Sequence, residues 1–118
     1  MPLPSQVCDL SAALLRLGGD TALLREIAGL FREDAPVFLD RLKAALAAGD
    51  AAGVRNAAHS LKGLASNFNG EAAVLAALRL EEMGERGQLT AAAEAVQGLE
   101  DEVARLMATL TPELARLK

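Results

Sequence analysis

The sequence has few of the residues on which many active sites depend. Of its 118 residues only Cys8 is a cysteine and only His59 is a histidine, and it contains no tryptophan and no tyrosine. A single cysteine excludes an intrachain disulfide and a cysteine-based zinc site, and a single histidine excludes zinc sites built on paired histidines. Any histidine chemistry must therefore use the one ring of His59.

Positive charge and long apolar runs are also scarce. Twelve Lys and Arg residues against sixteen Asp and Glu residues give a net charge of −4, so the sequence lacks the positive field that binding to nucleic acid requires. No apolar run approaches the roughly 20 residues that span a bilayer. We therefore expect a soluble, cytoplasmic protein that binds neither nucleic acid nor membrane.

The residues that are abundant are aliphatic. Hydrophobic residues make up 52% of the chain and aromatic residues only 3%, so the core must consist of Leu, Val and especially Ala, which suits closely packed helices. The length fits one domain, residues 1–118. We find no internal repeat and no alternating pattern typical of strands.

Apolar positions recur at steps of three and four residues, which predicts five helices separated by glycines and capping residues. The predicted helices are a short one at 9–17, a long one at 21–48, and three more at 51–68, 71–86 and 91–110. Pro36 removes a backbone donor inside the long helix, so we expect a kink there, or a break. Thr111 and Pro112 resemble a cap and a first helical position, which predicts a separate short helix at the end.

These helices define the expected fold class. Four amphipathic helices joined by short connections favour an all-α fold, an antiparallel up-and-down four-helix bundle. The additional short N-terminal helix would cover one end of this bundle.

His59 lies on the polar side of the helix predicted for residues 51–68. At about 100° per residue, its direction differs by roughly 150° from the mean direction of the apolar positions, so the imidazole faces solvent. Arg55, Lys62 and Ser66 lie on the same outer face. Lys62, one turn from the ring, and Arg55 place positive charge where an anion would approach.

Gly63 also lies on this face, four residues after His59. In a helix interior glycine costs about 1 kcal/mol relative to alanine, so its presence suggests that open space is needed beside the ring. It could equally mark close packing against another helix, and an exposed histidine near a lysine also arises by chance. Together the histidine, lysine and glycine favour a functional site, but they do not name its reaction.

A resemblance to a known family indicates which reaction this site performs. The sequence A-H-S-L-K-G at residues 58–63, followed by S-N-F at 66–68, resembles the active-site signature of histidine-containing phosphotransfer (HPt) domains, and similarity extends over nearly the whole of residues 10–110. One departure is Asn69, which stands where the family usually has glycine. Because Asn also adopts the left-handed conformation, we expect the turn to persist, with the end of the helix shifted or extended by a residue.

The resemblance implies an activity and a role for each residue of the signature. His59 would accept a phosphoryl group from a receiver aspartyl-phosphate and pass it to the aspartate of another receiver, without kinase activity of its own. Lys62 would steady the phosphoryl group, and Gly63 would keep the approach open. The predicted binding residues are Arg55, Ser66 and Asn67. No cofactor or metal is expected on this chain, since the receiver would supply the Mg²⁺.

The family also places a polar residue of the next helix beside the non-reacting ring nitrogen, and Glu81 matches that position. A bond between Nδ1–H of His59 and Glu81 would leave Nε2 free to attack. Glu81 could instead be an ordinary solvated carboxylate, or form a salt bridge with Lys62.

The partners implied are response-regulator receiver domains and a hybrid or chemotaxis-type histidine kinase, and we expect a monomer rather than a homodimer. Two other functions stay open. The chain could bind receivers without carrying phosphate, although His59 and Lys62 are both present, or it could be the phosphoacceptor domain of a chemotaxis-type kinase. A self-contained enzyme is disfavoured, because no glycine-rich nucleotide loop and no paired Glu-x-x-His motif occurs.

Overall fold

The computed structural model describes residues 7–117, so residues 1–6 and Lys118 of the predicted 1–118 domain lie outside the described part. Residues 7–117 contain helices and turns but no strand, which confirms the all-α class. The helices are α1 (Leu10–Arg16), α2 (Thr21–Ala47), α3 (Ala51–Ser66), α4 (Glu71–Arg86) and α5 (Ala92–Ala115). None of the described helices is long and apolar enough to cross a membrane.

Aspartate side chains start the first three of these helices. Asp9, Asp20 and Asp50 each accept a hydrogen bond, at 3.0–3.1 Å, from the backbone N–H three residues further along the chain. Such caps satisfy backbone donors that have no partner within the helix. The starts of α2 and α3 therefore coincide with the predicted ones, at residues 21 and 51.

The core is aliphatic, as the composition predicts. Its only aromatic pair among the described residues is Phe31 of α2 and Phe68, both fully buried, with ring centroids 5.5 Å apart and an edge-to-face orientation. Seven leucines are also almost completely buried, and they are Leu24, Leu42, Leu61, Leu80, Leu99, Leu106 and Leu110. Burial of each such side chain contributes about 1.5–3 kcal/mol to folding.

Contacts between helices form a closed ring. Helix α3 packs on α2 and α4, and α5 packs on α4 and α2, while α1 contacts α2. The most extensive of these contacts is between α3 and α4. This pair carries the residues singled out by the sequence.

Two of the described helices contain an internal proline, Pro36 in α2 and Pro112 in α5. Helix α2 continues through Pro36 without a break, because Ala35 and Leu39 on its inner side are buried against the core while Pro36 is exposed. A kink at Pro36 stays a prediction.

The separate short helix after Thr111 was a wrong prediction, because α5 continues through Pro112 to Ala115. Leu110 and Leu114 are both buried at a four-residue spacing, so the apolar stripe runs on past the proline. The guanidinium of Arg25 also donates to the carbonyl oxygens of Leu114 and Leu117, at 3.1 and 2.8 Å. Packing and this external cap therefore outweigh the one backbone donor that proline removes.

The other described helix ends fall within two residues of the predicted ones. Helix α3 ends at Ser66 rather than at residue 68, because Asn69 adopts a left-handed conformation with φ of 52°. The N–H of Gly70 then bonds to the carbonyl oxygen of Ala65 at 3.1 Å and closes the turn. The expected turn therefore forms, but the helix is shorter than predicted.

Candidate functional site

Helices α3 and α4 bring together His59, Lys62 and Glu81. Nδ1 of His59 lies 2.7 Å from Oε2 of Glu81, and Nζ of Lys62 donates to Oε1 of the same carboxylate at 2.5 Å. The His59 side chain is 66% exposed, whereas that of Glu81 is only 9% exposed. A fully solvated Glu81 is therefore excluded, and the ring contact and the salt bridge to Lys62 exist together.

The charge on Glu81 determines which ring nitrogen carries the proton. The bond from Lys62, and to a smaller extent that from His59, lowers the pKa of Glu81 although its burial acts in the opposite direction. Glu81 is thus an ionised carboxylate at neutral pH, and an ionised carboxylate only accepts hydrogen bonds. Nδ1 of His59 must be the donor, which in a neutral ring leaves the lone pair on Nε2.

Gly63 lies beside this cluster on open surface. A Cβ atom added to Gly63 would meet nothing within 4 Å, and the residue is exposed. Close packing of Gly63 against another helix, one of the two explanations suggested by the sequence, is therefore excluded. The space beside the imidazole is open to an approaching molecule.

The predicted binding residues lie around the cluster without contacting His59. Nε of Arg55 is 3.4 Å from Oε1 of Glu85, so Arg55 pairs with α4 on the surface. The hydroxyl of Ser66 donates to the carbonyl oxygen of Gly63 at 2.8 Å. The structure thus places Arg55 one turn before the ring and Ser66 about two turns after it, on the same helix.

Asn67 and Ser66 take part in a contact that the sequence did not reveal. The guanidinium of Arg16, at the end of α1, donates to the carbonyl oxygens of Ser66 and Asn67 at 3.1 and 3.2 Å. It also donates to Oδ1 of Asn69 at 2.5 Å. Arg16 therefore caps the C-terminus of the histidine-bearing helix, and it makes use of the asparagine that replaces the usual glycine.

A groove of about 490 Å³ lies between α2 and α3. Phe38, Arg41, Asn56 and Ser60 are among its lining residues, and the Arg41 guanidinium carbon lies 5.2 Å from the centre of the Phe38 ring. Ser60 follows His59 directly in the sequence.

Comparison with known proteins identifies the class to which this fold and cluster belong. The sequence model of the Hpt domain matches residues 26–109, which is most of the chain. The protein therefore belongs to the Hpt domain family and is a histidine phosphotransfer module of two-component signalling. Hpt proteins are phosphocarriers rather than kinases, and Hpt domains interact with receiver domains and histidine kinases.

A solved structure with the same fold supports this assignment. The chain is similar to histidine-containing phosphotransfer protein B (HptB) from Pseudomonas aeruginosa PAO1, with 29% sequence identity and a TM-score of 0.78. The similarity covers 95% of this chain and 97% of that chain. No curated protein matches the chain.

Proposed function

We propose that this protein is a phosphorelay intermediate, in which His59 accepts a phosphoryl group from a receiver aspartyl-phosphate and passes it to an aspartate of another receiver. One observation carries the proposal. The buried carboxylate of Glu81 accepts a hydrogen bond from Nδ1–H of the exposed His59 ring, with 2.7 Å between the two heavy atoms, so that Nε2 is the nucleophile.

Phosphoryl transfer from the receiver to His59 requires no further reactant. The Nε2 lone pair attacks phosphorus, the P–O bond to the receiver aspartate breaks, and the aspartate leaves as a carboxylate. The ring keeps its proton on Nδ1 and becomes cationic when Nε2 bonds phosphorus. Glu81 stabilises this positive charge, because its carboxylate is already bonded to Nδ1–H. Transfer to the next aspartate reverses each of these changes.

Lys62 supplies positive charge for the phosphoryl oxygens. Its ammonium has three N–H donors, of which one bonds to Glu81. The remaining donors are available one helical turn from His59, and the Lys62 side chain is 28% exposed. Lys62 therefore serves two anions, the buried carboxylate and the arriving phosphoryl group.

Gly63 and the adjoining surface admit the receiver. An interface of ordinary size buries about 800 Å² on each partner, so a receiver centred on His59 also covers Arg55, Ser66 and Asn67. The same area extends over the groove beside Phe38 and Ser60. Gly63 keeps the centre of this surface free of side-chain atoms.

We also propose the arrangement of the helices, the oligomeric state, the location and the cofactor requirement of the protein. Its four long helices run antiparallel as an up-and-down bundle, and it acts as a cytoplasmic monomer that binds neither nucleic acid nor membrane. It needs no cofactor of its own and has no autonomous kinase activity, because the receiver holds the Mg²⁺ that neutralises the transferring phosphoryl group.

The test is to incubate the purified chain with phosphorylated receiver domains and to measure the mass of the intact protein. A phosphoryl group adds about 80 Da, and phosphohistidine is labile in acid but stable in base. His59→Gln is the matched control, because an exposed side chain contributes little packing and the variant should keep its helical circular dichroism.

An adduct on the wild type but not on His59→Gln supports the proposal. An adduct on both proteins places the phosphoryl group elsewhere and contradicts it. A folded protein that binds receivers and gains no mass with any of them is the non-phosphorylated interaction module instead. Labelling only by ATP and a kinase domain in the same reaction identifies the phosphoacceptor domain of a chemotaxis-type kinase.

A further inference from the structure

We infer that Gly84 is a positioning residue, which sets the distance between α3 and α4 at which Glu81 reaches both His59 and Lys62. The consequence for phosphotransfer rests on the proposed function, whereas the effect on the imidazole does not. Gly84 follows Glu81 by three residues, so both lie on the face of α4 that meets α3.

The contacts at Gly84 are made by the backbone of α3. A Cβ atom added there would lie 2.7 Å from the carbonyl oxygen of Ala51, 2.7 Å from the backbone nitrogen of Arg55 and 2.8 Å from Cβ of Arg55. Backbone atoms within a helix cannot rotate away as the end of a side chain can. Alanine at this position would therefore displace α4 from α3.

The displacement of α4 would be large enough to break the hydrogen bond between Glu81 and His59. Ordinary contact for a Cβ atom begins at about 3.4 Å, so α4 must retreat by about 0.7 Å. The same retreat at Glu81, less than one turn away, would lengthen the 2.7 Å contact with His59 beyond the roughly 2.7–3.2 Å range of such bonds. Rotation of the carboxylate toward Nδ1 would weaken its second bond, because its other oxygen accepts from Lys62.

Gly84 thus differs from the other glycine near the ring. Gly63 borders open space, whereas Gly84 is buried between helices. The first leaves room for a partner, and the second brings the buried carboxylate close enough to hold Nδ1. A ring without that acceptor exchanges its proton between the two nitrogens, so a fraction of Nε2 is blocked by a proton.

The experiment measures the tautomer of His59 and the rate of phosphorylation in the 118-residue chain. His59 is the only histidine, so the ring ¹⁵N signals of the labelled protein need no assignment by mutation. Spectra are recorded at a pH well above the range in which imidazoles titrate. Phosphorylation is followed with phosphoramidate, a small donor that needs no docking surface.

Three variants are compared with the wild type. Gly84→Ala should shift the ring from the Nδ1–H form toward a mixture and slow phosphorylation by about tenfold. This is less than the roughly 10²–10⁴-fold that general acid–base catalysis contributes, because part of the rings keeps the proton on Nδ1. Gly98→Ala is the matched control, because it lies in α5 where an added Cβ meets nothing within 4 Å. It should keep the wild-type tautomer and rate.

The third variant, Glu81→Asp, withdraws the carboxylate by one methylene and leaves the packing at Gly84 intact. It should reproduce the tautomer mixture, because the inference requires the tautomer to depend on how closely the carboxylate approaches Nδ1, and this requirement is tested even if Gly84→Ala does not fold. A folded Gly84→Ala with the wild-type tautomer overturns the inference, and so does a wild-type tautomer in Glu81→Asp. If the tautomer shifts as expected but the wild type is never phosphorylated, the proposed function fails while the positioning role of Gly84 stands.

Discussion

The contact between α3 and α4 and the contact between α2 and α5 are built in opposite ways. Between α3 and α4 a carboxylate, Glu81, is buried and both of its oxygens are bonded. Between α2 and α5 the contacts between polar side chains are exposed, namely Lys43 with Glu100 and Arg32 with Thr111, the latter at 2.9 Å.

The difference reflects the cost of burying charge. A buried carboxylate is destabilising unless it is fully bonded, and apolar side chains of similar volume often stabilise a protein as well or better. The α2–α5 contact, which has no chemistry to perform in the proposed function, keeps its charges at the edge. The α3–α4 contact carries the buried charge because the imidazole needs an acceptor for Nδ1.

The largest expected effect is on stability, at the α5 side of the core. Leu106 is fully buried, so Leu106→Ala should lower the free energy of unfolding by about 2–5 kcal/mol. Urea denaturation followed by circular dichroism measures the change. The folded variant should still accept phosphate at the wild-type rate. Loss of phosphoacceptance without loss of stability would show that the α5 side of the core and the α3–α4 contact are not separate in function.

The next effect concerns the pH dependence of stability at the α3–α4 contact. Lys62 lowers the pKa of Glu81 in the folded protein. Glu81 therefore makes its full contribution to the free energy of unfolding at pH values above its unfolded-state pKa of about 4.3. This contribution is lost as the pH falls through the lower folded-state pKa.

Glu81→Gln should therefore lose less unfolding free energy than the wild type as the pH falls from about 5, above the unfolded-state pKa, into the acid range. Denaturation curves at several pH values measure this, with Glu85→Gln as the exposed control. Parallel pH profiles for the wild type and Glu81→Gln would mean that the bond to Lys62 does not persist in solution.

Gly63→Ala should stabilise the protein but hinder the approach of a receiver to the outer face of α3. Alanine gains about 1 kcal/mol in a helix interior, and the added Cβ meets nothing within 4 Å, so the unfolding midpoint should rise. Transfer from a phosphorylated receiver should become slower, while phosphorylation by phosphoramidate stays unchanged. If Gly63→Ala and the wild type are phosphorylated at the same rate by each of the two donors, Gly63 has no role in access.

The smallest effect is expected at the exposed edge of the α2–α5 contact. Lys43→Ala removes the pair with Glu100, in which the side chains are 48% and 33% exposed. Such pairs contribute about 0–1 kcal/mol, so the unfolding free energy should change by no more than this. A loss of several kcal/mol, measured in the same denaturation assay, would show that surface charge holds α2 and α5 together.

Local features of the chain were predictable from the sequence. Helix starts at residues 21 and 51 follow from the aspartate caps, which act on N–H groups three residues away. The outward direction of His59 follows from its place among apolar neighbours on one helix. The end of α5 was not predictable, because Pro112 signals a new helix locally while the burial of Leu114 and the cap from Arg25 come from distant contacts.

By itself the sequence determined the helical class, the aliphatic core and the exposed histidine with its neighbouring lysine and glycine, since all of these depend on composition and on spacings within one helix. The family resemblance suggested Glu81 as a partner of His59, 22 residues away, but only the tertiary structure decided that Glu81 contacts both His59 and Lys62. The tertiary structure alone decided the contact of Arg16 with the end of α3 and that of Gly84 with α3. The physical reason is that these contacts depend on how far apart two helices lie and how they are aligned. Periodicity within one helix does not specify either quantity.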